Sequence, residues 1–290
     1  MRHSTVALLV VHLRLPFQLL LAPVFLWGWL IAGGRPSVSV AVAFIVFHVF
    51  LYGGATAYNS YYDRDVGPVG GLERPPPVSE ALLPFAVAMK LVGLLLAWLV
   101  NPSFAVIYAM FAALSFAYSH PSIRLKSRTY GSLVVVGFGQ GVLAFLGAWA
   151  ATRGDLASAA SLEGALGALA ATLLIVALYP LTQLYQVEED LARGDRTLAA
   201  VWGPRRCFVF ALMSTLLGGS SMLVVLVRRF GVADALLVGC GLVIQLVAIT
   251  WWAVRYEPEA VLGNYRHLMR LNTLTAGALA LYLLARIAYA

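Results

Sequence analysis

Residues 38–65 read VSVAVAFIVFHVFLYGGATAYNSYYDRD, a long apolar run that ends abruptly in Tyr58-Asn59-Ser60-Tyr61-Tyr62-Asp63-Arg64-Asp65. About 20 mostly apolar residues suffice to cross a bilayer as a helix, and in hydrocarbon the backbone must satisfy its own hydrogen bonds. The run is therefore expected to be a membrane helix that delivers an acid-rich loop to the surface. The same arrangement recurs at residues 162–190, where a second apolar run ends in Tyr185-Gln186-Val187-Glu188-Glu189-Asp190.

Working outward, apolar segments lie at Leu15–Ala32, Val38–Tyr58, Ala81–Val100, Ser103–Ser119, Gly131–Ala151, Leu162–Tyr185, Arg206–Val227, Ala235–Val254 and Leu271–Tyr289. The expectation is an all-α polytopic membrane protein: nine transmembrane helices bundled around a central cavity, one domain over residues 1–290, with acid-rich loops near 59–79 and 186–205. Composition agrees. The chain of 290 residues is 61% hydrophobic and only 11% charged, against roughly 25% charged in soluble domains. A net charge of +7 would suit nucleic acid in a soluble protein, but in a membrane protein basic excess sets orientation and meets anionic lipid. Nucleic acid is not an expected partner; the bilayer is. Cys207 and Cys240 sit in separate apolar runs without metal-ligand spacing and read as small buried hydrophobes.

An odd number of spans puts the termini on opposite sides, so the loops divide into two sets. One set carries Arg64, Arg74, Arg124, Lys126, Arg128, Arg193, Arg196, Arg266 and Arg270, the other only Arg35, Arg153, Arg228, Arg229 and Arg286. By the positive-inside rule the first set is cytoplasmic, which points to a multi-pass cell (inner) membrane protein. The acids share that side, since Asp63, Asp65, Glu73, Glu188, Glu189 and Asp190 all fall there. The longer, more polar loops do so too.

Within the two acid-rich loops, Tyr is followed by Asn or Gln and then, four residues on, by Asp. Residues at i and i+4 share a helix face. Asn59 with Asp63, and Gln186 with Asp190, thus each present an amide oxygen beside a carboxylate. These are hard-oxygen donors of the kind magnesium accepts, with water and substrate phosphates completing its sphere. Acids that merely hydrate a helix end would not need matching amides at both loops. The nearby Arg64, Arg74, Arg193 and Arg196 add phosphate-binding capacity.

At these residues the chain resembles the UbiA superfamily of intramembrane prenyltransferases, and the resemblance covers nearly its whole length. Asn59 and Asp63 match the first aspartate-rich motif, and Arg74-Pro75 the pair that follows it. Asp190 takes the place of the second aspartate of the second motif, ahead of Gly194, Thr197, Leu198 and Ala199. Arg14 and Pro16, and Tyr118, Pro121, Leu125 and Lys126, match more weakly. Three family acids are replaced, by Ser60, Gly67 and Gln186. Asp65, Glu188 and Glu189 are close enough to substitute.

The resemblance implies magnesium-dependent transfer of a prenyl group from an allylic prenyl diphosphate to a lipophilic acceptor, aromatic acceptors included. It implies Asp63, Asp190 and Lys126 as catalytic residues and Asn59, Asp63, Asp65, Gln186, Glu189 and Asp190 as metal ligands. Arg64, Arg74, Lys126 and Arg193 would bind diphosphate, and Tyr62, Tyr118, Gln183 and Tyr185 would line the substrate pocket. Two alternatives stay open: a terpene cyclase of the same superfamily, acting without acceptor, and a transporter with an acidic cation path, which would need acids at the midplane. His48 and Lys90 lie inside apolar segments, where ionisable groups are expensive. His48 is about 16 Å along the helix from Asn59, too deep for a phosphate, and reads as a core residue. Lys90 would pair with an acid or reach to an interface.

Overall fold

The computed structural model describes residues 5–289. Among these, nine helices are long and apolar enough to cross a membrane: α1 (Val6–Ile31), α2 (Val38–Asp63), α3 (Leu82–Val100), α4 (Pro102–Ser119), α5 (Thr129–Arg153), α6 (Leu162–Gln183), α7 (Leu198–Phe230), α8 (Val232–Val254) and α9 (Val261–Ala288). Extended structure among the described residues is limited to two isolated bridges, Val69 with Leu72 and Arg128 with Arg196. The protein is a multi-pass membrane protein.

Sequence punctuation explains the ends and breaks. Ser37, Asn101 and Ser161 cap α2, α4 and α6, each side-chain oxygen accepting a backbone N–H three residues on, as such residues do at helix N-termini. Within α1 the helix is interrupted at Arg14, whose φ of 50° is left-handed. Proline at position 16 has no N–H and favours a first helical turn, so the chain restarts there. The helical run of α7 also contains a break, at Gly203 with φ 73° just before Pro204. Proline disfavours the α region in the residue before it. That break explains why the hydropathy of the sequence locates this span only from Arg206.

The innermost helix is α5, and α8, α3 and α9 are the most peripheral. Phe25, Trp27, Phe47, Phe104, Tyr108 and Phe145 form the centre of the main core cluster. Where α5 crosses α6, a β-carbon on Gly141 would stand 2.6 Å from Thr172 Cα, so the glycine-rich stretch of α5 serves close packing. The outward faces of α8 and α9 expose Leu236, Ile244, Val247, Leu274 and Leu281, as lipid-facing helices do. Cys240 is on that exposed side and only Cys207 is buried, which corrects the expectation for Cys240.

Among the described residues, Lys90 neither pairs with an acid nor reaches an interface. It stays buried and donates to Ser115 Oγ at 2.8 Å. His48 is a core residue, its Nδ1 2.9 Å from Phe44 O.

Candidate active site

The bundle encloses a cavity of about 340 Å³ that opens at the acid-loop end. On the last turns of α2, Thr56, Asn59 and Asp63 follow one stripe into it, as i, i+3/i+4 spacing requires. The chain then turns at Arg64, left-handed at φ 50°, and Asp65 comes back to the cavity wall. Opposite, α6 gives way to a short helix, Val187–Ala192, which places Asp190 and, after it, Arg193 and Asp195 at the same opening. A third contribution comes from the turn Leu125–Ser127 between α4 and α5, which brings in Lys126. Further in, the walls become apolar and aromatic, with Trp27, Phe111, Ile175, Met222 and Leu279.

Ion pairs cross this opening. Arg193 donates to Asp65 Oδ1 and to Asp190 Oδ1, each at 2.8 Å, and so bridges the two acid-rich loops. Arg124 holds Asp195 through two bonds, Nε to Oδ1 at 3.1 Å and Nη2 to Oδ2 at 2.9 Å, and lies 3.4 Å from Asp63. Lys126 donates to Asn59 Oδ1 at 2.7 Å and to Asp63 Oδ1. Arg14, from the break in α1, donates to Ser60 Oγ at 2.7 Å and approaches Asp65 at 3.9 Å. The left-handed backbone at Arg14 and Arg124 is uncommon for a residue with a side chain and is found at sites the surroundings over-determine. Here it aims both guanidinium groups at carboxylates.

Burial disfavours charge, and the partners oppose it. The Asp190 carboxyl is pushed up to about 6 by burial, against the pull of Arg193. Asp65 is raised by burial and by neighbouring Asp63, again against Arg193 and Arg14. Lys126 is lowered by burial despite Asp63 beside it. Arg193 would be lowered by burial too, but Asp65 and Asp190 hold it above its ordinary value.

Of the residues expected from the sequence, Asn59, Asp63, Asp65, Tyr118, Lys126, Gln183, Tyr185, Gln186, Asp190 and Arg193 line the cavity. Four do not. The guanidinium of Arg64 turns outward to Glu80 at 2.8 Å, because the left-handed cap swings the side chain off the stripe of α2. Arg74 is exposed, beyond the tight Val69–Leu72 bridge and next to Glu73, which Arg266 pins at 2.7 Å. Tyr62 occupies a different face of α2 from Asp63 and packs on Tyr58, Tyr61 and His120. Glu189 accepts the backbone N–H of Val66 at 3.1 Å and ties one acid loop to the other from outside the cavity.

Several lining residues escape sequence reasoning. Asp195 and Tyr179, whose hydroxyl is 3.0 Å from that of Tyr118, both face the opening. Gln140, Gln245 and Asn272 line the membrane-embedded wall. Gln183 lines the cavity and is also tied to its neighbour helix, accepting from Ala199 N at 3.3 Å. A lone amide in an apolar run was the available signal for Gln140 and Gln245, and it does not say whether the group faces a neighbour helix or a cavity.

The donor set suits magnesium in chemistry, being carboxylate and amide oxygens around a space open to water and phosphate. Among the described residues, however, no three acidic or histidine side chains come close enough to hold a metal ion alone. Asn59, Asp63, Asp65, Gln186 and Asp190 are the residues that would share one with a substrate's oxygens.

The model of the UbiA prenyltransferase family matches residues 20–274. The chain is 29% identical over 192 residues to a digeranylgeranylglyceryl phosphate synthase from Methanothrix thermoacetophila, covering 64% of this chain and 68% of that one. It is 30% identical to the protein of the same name from Thermococcus kodakarensis, covering 64% of this chain and 65% of that one. Among solved structures, a UbiA homolog from Archaeoglobus fulgidus bound to GPP and Mg2+ superimposes with a TM-score of 0.71 at 18% identity, over 97% of this chain and 99% of that one. The fold, the paired acid loops at one end of the cavity and the family match over most of the length agree, and the chain belongs to the UbiA prenyltransferase family.

Proposed function

We propose that this prenyltransferase transfers a prenyl group from an allylic prenyl diphosphate to a lipophilic acceptor within the membrane, with magnesium, at a site facing the cytoplasm. The observation that carries the reading is the gradient along one cavity. Carboxylates and cationic groups crowd one end, while Trp27, Phe111, Ile175 and Met222 line the other. A substrate with a polyanionic head and a hydrocarbon tail matches both ends at once. Support comes also from the fold neighbour bound to GPP and Mg2+ and from the basic loops that accompany the acids.

In this scheme Arg193, Lys126 and Arg14 bind the diphosphate oxygens, and Asn59, Asp63, Asp65, Gln186 and Asp190 would hold the metal. Magnesium, when bound, supplies Lewis-acid stabilisation of the leaving diphosphate. As the allylic C–O bond breaks, charge accumulates on the leaving oxygen, where fixed cationic side chains in a buried site lower the barrier. The allylic cation is left near the faces of Tyr118, Tyr179 and Tyr185, which attract positive charge without reacting as water would. The acceptor's nucleophilic atom then forms the new bond to carbon and gives up its proton to the released diphosphate. The acid loops are at helix ends rather than at the midplane, which disfavours an acidic cation path of the transporter type.

The deciding experiment incubates purified protein with magnesium and dimethylallyl, geranyl, farnesyl or geranylgeranyl diphosphate, with and without phenolic or prenylglyceryl phosphate acceptors. Diphosphate release and products are followed by mass spectrometry. Acceptor-dependent release is expected. Release with a cyclic hydrocarbon in the absence of acceptor would identify a cyclase instead, and no magnesium-dependent release from any donor would remove the proposal.

A further inference from the structure

Two roles assigned to the first acid loop cannot be filled at the same moment. Asn59 Oδ1 accepts from Lys126 Nζ at 2.7 Å and from Ser119 Oγ at 2.8 Å. Both lone pairs of that carbonyl oxygen are then used. Asp63 Oδ1 bonds the same ammonium and lies 3.4 Å from Arg124 Nη2. The two oxygens that the i, i+4 spacing offers to a metal thus converge on a lysine. Magnesium binds oxygen at about 2.0–2.1 Å in near-octahedral geometry and loses its water reluctantly, so an ammonium and the ion exclude each other from this position.

We infer that Lys126 is the internal counter-cation of the first acid loop, and that the loop accepts a divalent ion only when a diphosphate draws the ammonium away. Charge supports the order of events. Asp63, Asp65, Asp190 and Asp195 are matched by Arg14, Arg124, Lys126 and Arg193, each carboxylate having a cationic group within 4 Å. The cavity wall itself thus carries no excess negative charge with which to hold a dication, Glu189, which shares Arg193 at 3.4 Å, standing outside it, and among the described residues no carboxylate trio cages one. Diphosphate supplies both the missing charge and the missing oxygen ligands. Lysine suits the exchange because its compact charge rides on a flexible four-carbon stem, whereas Arg124 is fixed by two bonds to Asp195. The inference rests on the diphosphate reading of the cavity.

Equilibrium dialysis of the full-length protein in detergent, with Mn2+ read by electron paramagnetic resonance and inorganic pyrophosphate equal on both sides, tests it. Wild-type protein is expected to retain Mn2+ about tenfold more tightly with pyrophosphate than without. Lys126→Met is expected to retain Mn2+ without pyrophosphate about tenfold more tightly than wild type does. Equal wild-type retention in both conditions, or a Lys126→Met variant no tighter than wild type, would overturn the exchange. Because the first comparison uses only wild-type protein, it stands even if the variant does not fold. Failure of wild type to bind pyrophosphate at all would remove the diphosphate reading and the exchange with it, and that outcome is distinct from equal Mn2+ retention in pyrophosphate-bound protein.

Discussion

Arg193 donates to Asp65 at 2.8 Å across 128 positions of sequence, from one acid-rich loop to the other. A guanidinium is a rigid fork, and its second terminal nitrogen reaches Asp190, also at 2.8 Å. One side chain therefore sets the spacing of the two loops at the mouth of the cavity. Lysine presents a single point of charge and does not span both carboxylates. Arg193→Lys is expected to lose about tenfold or more in kcat/KM for a prenyl diphosphate. A double-mutant cycle with Asp65→Asn, read as pyrophosphate affinity, should give a coupling of about 1–3 kcal/mol. Full activity in Arg193→Lys would show that the bridge is dispensable.

Asp63 and Asp190 are the acids that enter the cavity from opposite walls on elements packed into the bundle, and both are mostly buried. Asp63→Ala and Asp190→Ala should each reduce magnesium-dependent turnover by about 10²–10³-fold while the detergent-solubilised protein elutes unchanged on gel filtration. Turnover close to wild type in either variant would take that residue out of the machinery.

Arg64, Arg74 and Tyr62 make the opposite test, because the sequence pattern includes them and the geometry does not. Arg64 is spent on exposed Glu80, and Tyr62 on a cluster of rings outside the cavity. Exposed ion pairs contribute little. Arg64→Ala, Arg74→Ala and Tyr62→Phe are each expected to keep kcat/KM within about threefold of wild type, the scale of a contact worth well under 1 kcal/mol. A hundredfold loss in any of them would mean that the loop closes over substrate in a way the present arrangement does not contain.

These contrasts show what the sequence makes legible. Spans are set by the cost of exposing backbone to lipid, a cost that hydropathy measures directly, so all nine segments are found and mainly their ends shift. The i, i+4 spacing correctly pairs Asn59 with Asp63, because the helix continues through both. It says nothing reliable beyond Arg64, where the chain turns left-handed and neighbours in sequence point apart. The replaced family acid at Gly67 is instructive: a β-carbon there would be 2.9 Å from Glu189 Oε2. Glu189 of the other loop occupies that space from outside the cavity, a proximity between the two loops that spacing along the chain does not reveal. Arg124 and Asp195 were equally invisible, because a basic residue in a loop reads as topology until its partner is known.

Lys90 offers a last prediction, on stability. It is fully buried in α3, where Nζ donates to Ser115 Oγ at 2.8 Å and lies 3.8 Å from the centroid of Phe116 and 4.6 Å from that of Tyr58. No carboxylate is paired with it among the described residues. Ser115 lines the cavity, with Lys90 behind it, so the lysine acts on packing rather than on substrate. Burying an amine costs several kcal/mol before its contacts offset part of that. A methionine of similar length keeps the volume and removes the cost, and Ser115 retains its bond to Ala112 O at 2.7 Å. Lys90→Met should therefore match or exceed the wild-type thermal midpoint in detergent at unchanged turnover. Lys90→Ala leaves a void under two aromatic rings and should lose about 2–4 kcal/mol. If Lys90→Met stays as stable as wild type but loses turnover, the lysine acts on the cavity through Ser115 and the packing assignment is wrong.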